Sequence, residues 1–179
     1  EGAKLTIKGA GNLDIYAKGH ECYAIGADSE SGFGNITINN SGNININIDG
    51  ENCIGIGGGI VKENSGISLL SGSYNLNVAG VHAVGIGAFK GKLPLIIKDS
   101  EIASDFRVNT GVVIGTFAGE LEASIQNYRI VVEGSGTEVC GIGSVNAVSG
   151  NVAFDAGSYE VVLRGQKIYL VGASEGDLA

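Results

Sequence analysis

A glycine-centred motif returns six times along this chain at a nearly fixed interval, and it limits the fold more than any other feature. The motif reads Ala-Ile-Gly ending at Gly26, Gly-Ile-Gly at Gly57 and Gly87, Val-Ile-Gly at Gly115, Gly-Ile-Gly at Gly143 and Leu-Val-Gly at Gly172. The successive intervals are 31, 30, 28, 28 and 29 residues. A period in this range marks a repeat architecture, in which each repeat is one supersecondary unit that cannot bury its apolar face alone.

The second repeat shows what the unit contains. Ile36 and Ile38 alternate with polar residues up to the turn Asn39-Asn40-Ser41-Gly42. Ile44, Ile46 and Ile48 alternate with Asn45 and Asn47 up to the turn Asp49-Gly50-Glu51-Asn52, and Ile54 and Ile56 flank Gly55. Alternation of β-branched and polar residues between Gly, Asn and Asp clusters is the pattern of short strands. One repeat therefore offers seven inward positions on three strands.

The same template fits the other repeats. The first gives Leu5, Ile7, Leu13, Ile15, Ala17, Tyr23 and Ile25, and the third gives Ile67, Leu69, Tyr74, Leu76, Val78, Val84 and Ile86. The fourth gives Leu95, Ile97, Ile102, Ser104, Phe106, Val112 and Ile114. In the fifth the apolar pattern selects Leu121, Ala123, Tyr128, Ile130 and Val132, then a longer second turn, then Cys140 and Ile142. The sixth gives Val152, Phe154, Tyr159, Val161, Leu163, Tyr169 and Val171. Of these 42 positions only Ser104 is polar, whereas a chain that is 44% apolar would fill about 18 by chance.

These repeats predict an all-β fold, a parallel β-helix of about six coils with three short strands per coil, spanning residues 1–179 as one domain. At roughly 4.8 Å per coil the stack is about 25–30 Å long. The motif glycines end the third strand, where a tight corner calls for positive φ. A β-sandwich or prism of hairpins is the competing fold. A helical repeat is excluded by the period-2 pattern and by 31 glycines.

Composition narrows the function. A net charge of −8 opposes nucleic-acid binding, and there is no apolar run long enough to insert in a bilayer. The chain has no Met and begins close to its first strand, as a mature or excised segment of a longer protein would. An acidic, Gly-, Asn- and Ser-rich surface suits a secreted or cell-surface protein. Three cysteines make no disulfide scaffold, and Cys140, at an inward slot, reads as an inert thiol.

The segments Cys53-Ile-Gly-Ile-Gly-Gly-Gly59 and Ala83-Val-Gly-Ile-Gly-Ala88, each followed by a Gly-containing turn and a short Ile/Leu strand, carry a resemblance. They resemble the Gly-Ile-Gly repeats of surface and secreted proteins of anaerobic Gram-positive bacteria, and the overall plan resembles β-helices of the pectate-lyase type. The resemblance covers all six repeats, with Val113 and Leu170 replacing the first Gly of the fourth and sixth. It implies a noncatalytic adhesive or carbohydrate-contacting role, and supplies no functional residues.

Several constellations are candidates for chemistry. Asn43, Asn45 and Asn47 lie outward on the second strand, with Asn75 and Asn77 in the next coil. They are either a structural amide ladder or a polar surface for sugars. Phe89 and Phe117, each two residues past a motif Gly, should stack at one corner, as local packing or as a ligand platform. Tyr16 and Phe33 also fall outside the core template.

His20, Cys22, Cys53 and His82 gather near one corner of the first three coils. Free stacked thiols, a Cys22–Cys53 disulfide and a Zn²⁺ site all remain open there. The outward columns Asp14, Asn45, Asn75, Ala103, Arg129, Glu160 and Lys18, Asp49, Ala79, Arg107, Glu133, Arg164 place no two carboxylates in adjacent coils, so a polysaccharide lyase or hydrolase has no evident acid pair. Gly55-Ile-Gly57-Gly58-Gly59 lacks the Lys-Ser/Thr and helix of a phosphate loop.

The expected function is a noncatalytic secreted or surface repeat module acting as adhesin, spacer or interaction surface. A carbohydrate-binding module and a polysaccharide-active enzyme are the alternatives. No cofactor is expected. The expected partners are a polysaccharide, a surface protein, or a second copy docked end to end on coil one, while Ser174-Glu175-Gly176-Asp177 would cover coil six.

Overall fold

A computed structural model describes residues 3–146, 149–173 and 177–178. The strands are β1 (Leu5–Gly9), β2 (Leu13–Lys18), β3 (Glu21–Gly26), β4 (Gly32–Phe33), β5 (Ile36–Val61), β6 (Ile67–Lys90), β7 (Leu93–Ala118), β8 (Leu121–Ser144), β9 (Ser149–Phe154), β10 (Gly157–Ala173) and β11 (Asp177–Leu178). There is no helix among the described residues, and hence none long and apolar enough to cross a membrane. Every strand pairing is parallel, and each coil pairs with the next at the motif interval, as in Leu5↔Ile36, Ile36↔Ile67 and Ile67↔Leu95. The protein is a parallel β-solenoid of about six turns.

In the middle coils the three walls run on through the corners, so β5 to β8 are long bent strands of 24 to 26 residues. Pairing also continues past the motif glycines, through Gly58↔Ala88↔Thr116 and Ile60↔Lys90↔Ala118. The six motif glycines stack and bend the chain the same way, with φ between +132° at Gly26 and +151° at Gly87. The stacking is also sterically closed. A Cβ on Gly57 would overlap the carbonyl oxygen of Gly87, and one on Gly87 would overlap that of Gly115.

The first two walls follow the predicted pattern. Ile38, Ile46, Leu69, Val78 and Ile97 are fully buried. The third wall departs from it, because both of its faces are buried. Cys53, Ala83 and Val139 belong to the main core, while their neighbours Val84, Val112 and Cys140 form a second cluster under Phe89, Phe117 and Tyr169. The third-strand slot containing Val84 and Cys140 thus does not face the main core as the template had it. The chain beyond the glycine corner folds back and covers the outer face of this wall. Phe33 also departs from expectation, since it is only 4% exposed and packs in the main core against Gly58.

Coil five corrects the sequence register by two residues. Leu95 pairs with Ala123, Ile97 with Ile125, Ile102 with Ile130, Ser104 with Val132 and Phe106 with Gly134. The inward positions of walls one and two are therefore Ala123, Ile125, Ile130, Val132 and Gly134, with no longer second turn. The cause is volume. A Cβ on Gly134 would press on the Phe106 backbone oxygen and on Leu163, and one on Gly111 would press on the Phe106 ring, which is fully buried in the space Gly111 leaves. A two-residue slip keeps every side chain on its own face, so the apolar pattern alone does not detect it.

The terminal coils are the most exposed. Leu5 is 38% exposed in coil one, and Phe154 and Val171 are 39% and 45% exposed in coil six. Asp177–Leu178 pairs with Ser149 and Gly150 and so extends one wall beyond coil six. Ser174, Glu175 and Gly176, the rest of the expected cap, lie outside the described residues.

Candidate functional site

The outer face of the second wall carries a groove of about 490 Å³ that runs along the solenoid axis. It adjoins a second hollow of about 560 Å³, and Tyr16, Asn47 and Asn77 line both. Two outward columns build this face, because alternate residues of a strand point the same way. One column is Asp14, Asn45, Asn75, Ala103 and Val131, and the other is Tyr16, Asn47, Asn77, Asp105 and Glu133.

The first column is a directional amide ladder. Asn45 Nδ2 donates to Asp14 Oδ1 at 2.6 Å, and Asn75 Nδ2 donates to Asn45 Oδ1 at 2.7 Å. An ionised carboxylate only accepts, so Asp14 forces Asn45 to turn its NH₂ toward coil one. Asn45 then offers its oxygen to Asn75, and Asn75 is oriented in turn. The ladder ends with the Asn75 oxygen toward coil four, where Ala103 has nothing to donate. In the second column Asn77 Nδ2 donates to Asn47 Oδ1 at 3.0 Å, which leaves the Asn77 oxygen on the side of Asp105.

The corrected register brings Asp105 and Glu133 side by side on adjacent strands. Arg107 grips Asp105 through both Nε and Nη2. Among the described residues Glu133 has no ion-pair partner, and it is exposed. Tyr16, 73% exposed, stands at the coil-one end as a bare aromatic face. The groove is therefore aromatic at one end, amide in the middle and acidic at the other.

The remaining candidates lie elsewhere. Asn43 sits one column over, where its backbone N–H donates to Asn12 Oδ1 at 3.0 Å. Phe89 and Phe117 meet at the corner with centroids 5.3 Å apart and ring planes tilted by 32° rather than stacked, and His82 meets the edge of Phe117 at 5.8 Å. All three belong to the third-wall side, and the two Phe rings cover the second cluster.

Cys22 and Cys53 are register partners on neighbouring strands, both buried and both free thiols. Each sulfur donates to a backbone carbonyl, Cys22 to Asp49 at 3.3 Å and Cys53 to Ala79 at 3.4 Å. Burial, with Cys22 alongside, pushes the Cys53 thiol up to about 12, and burial does the same to Cys140. The Zn²⁺ reading is not assembled. Among the described residues no three His, Cys, Asp or Glu side chains come together as a ligand set. Strand alternation is the reason. Cys53 and Ala83 point into the core, whereas His82, one residue away, faces outward in the column of Asn52 and Thr110. His20 also lies outside, 2.8 Å from Glu51.

Template reading missed Asp105, Glu133 and Arg107 as neighbours of the Asn face. The signal was present in the 28-residue spacing from Gly115 to Gly143, which carries Asp105 directly onto Glu133. Compared with family models, curated proteins and solved structures, the chain finds no match.

Proposed function

We propose that this chain is a noncatalytic, secreted or cell-surface repeat module that holds an extended polysaccharide along the second-wall groove and so acts as an adhesin. The observation that carries this reading is the groove itself, continuous over successive coils and opening on Tyr16 at one end. A polymer of sugar rings fits such a face, because each ring offers hydroxyls to amides and an apolar side to an aromatic. The ladder also fixes Asn45 and Asn75 before any ligand arrives, which lowers the ordering cost of binding. The noncatalytic part rests on Asp105. Two-carboxylate glycoside chemistry needs both acids available, and Arg107 already occupies both oxygens of Asp105.

Isothermal titration against soluble oligosaccharides of neutral, amino-sugar and uronic-acid type tests the reading. Binding that falls about tenfold, or ~1.4 kcal/mol, in Tyr16→Ala supports it. Absence of binding to every class by the folded protein refutes it and leaves the solenoid as a spacer.

A further inference from the structure

The groove's chemistry is one-sided at its coil-three-to-five end, and this selects among polymers. Because Asp14 can only accept, the ladder delivers Asn75 with its oxygen toward coil four. Asn77 presents its oxygen on the same side. Opposite them stand Ala103 and Val131, which offer no side-chain polar group, and Asp105 and Glu133, which offer only acceptors when ionised. Arg107 compensates the charge of Asp105, so the uncompensated charge at this end is that of Glu133. Ala103 and Val131 are also short enough to leave the recess open between the amide oxygens and the carboxylates.

Three acceptors that no ion pair occupies, the Asn75 and Asn77 oxygens and the Glu133 carboxylate, form a poor site for an acetamido or carboxylate group. They form a good one for an ammonium, which has three donors and no acceptor. A chain of net charge −8 further disfavours anionic polymers such as polyuronates. Resting on the groove reading above, we propose that this end is an amine subsite, and that the polymer it takes is an amino-sugar chain whose primary amines are unacetylated and protonated.

The test compares glucosamine oligomers with N-acetylglucosamine oligomers of equal length by isothermal titration, at a pH where the free amines are charged. The expected preference for the unacetylated series is about fivefold, the scale of one exposed ion pair, and it shrinks with added salt. In Glu133→Gln the ratio of the two affinities should fall toward one. Asp14→Lys tests the ladder from a distance. A lysine only donates, so it should turn Asn45 and Asn75 over, point the Asn75 NH₂ into the recess and lower the same ratio, with the far-ultraviolet circular dichroism spectrum unchanged. Equal binding of both series by the wild type, or a preference intact in both variants, overturns the amine subsite while leaving the groove as a glycan site. Failure of the folded wild type to bind any oligomer overturns the groove reading and the subsite with it.

Discussion

Replacing Gly87 by Ala tests the element on which every coil depends. Gly87 has φ +151°, a conformation that L residues rarely adopt, and holding a non-glycine residue in such a region costs about 1–3 kcal/mol. The added Cβ would also collide with the Gly115 carbonyl. That atom is backbone in the next coil and is itself held by Gly143, which a Cβ on Gly115 would strike in the same way. No flexible side chain can yield, so the coils must part or the corner must rotate. We expect a total loss of about 3–5 kcal/mol, in the range that marks a specific structural fault rather than an average substitution. Gly11→Ala is the control. Its Cβ would meet nothing within 4 Å, so it should change stability by less than about 0.5 kcal/mol or raise it slightly. Urea unfolding followed by circular dichroism reads both variants. A Gly87→Ala loss below about 1 kcal/mol would refute the claim that the glycine ladder is sterically closed.

Three further outcomes follow from the core. Ile46, fully buried, should cost about 2–5 kcal/mol when cut to Ala in the same unfolding assay. Ser104 stands between Leu76 and Val132 with its hydroxyl buried and unbonded, so Ser104→Ala should stabilise by about 1 kcal/mol, read as a rise in the urea midpoint. The Cys53 and Cys140 thiols titrate near 9.0 when unfolded and at about 12 when folded. The unfolded chain therefore releases protons first, and stability should be full below pH 9 and fall as pH rises from 9 toward 12. Thermal unfolding across that window should show the fall, and a Cys53→Val, Cys140→Val double variant should flatten it between pH 9 and 10, above which the buried Tyr74 and Tyr159 phenols, also held up by burial, sustain the fall.

The chain's sequence determined the solenoid, the coil count and most of the core. These follow from a period near 29 and an alternation of two, both of which are local and repeat often enough to outvote exceptions such as Ser104. It also determined the glycine corner, since the only residue suited to a repeated positive φ recurs at that place. Tertiary structure decided three things that the apolar template misread. It buried the third wall on both faces, because alternation cannot reveal that a later segment covers the outward side of Val84, Val112 and Cys140. It turned Cys53 into the core and left His82 outside, since alternation puts neighbouring slots on opposite faces without saying which face is inward. It also settled the register of coil five. A template that demands an apolar residue in every slot rejects Gly134, but a packed interior accepts a glycine where Phe106 in one neighbouring coil and Leu163 in the other close its space. Packing conserves total volume rather than residue type, and this compensation brings Asp105 and Glu133 together at the end of the groove.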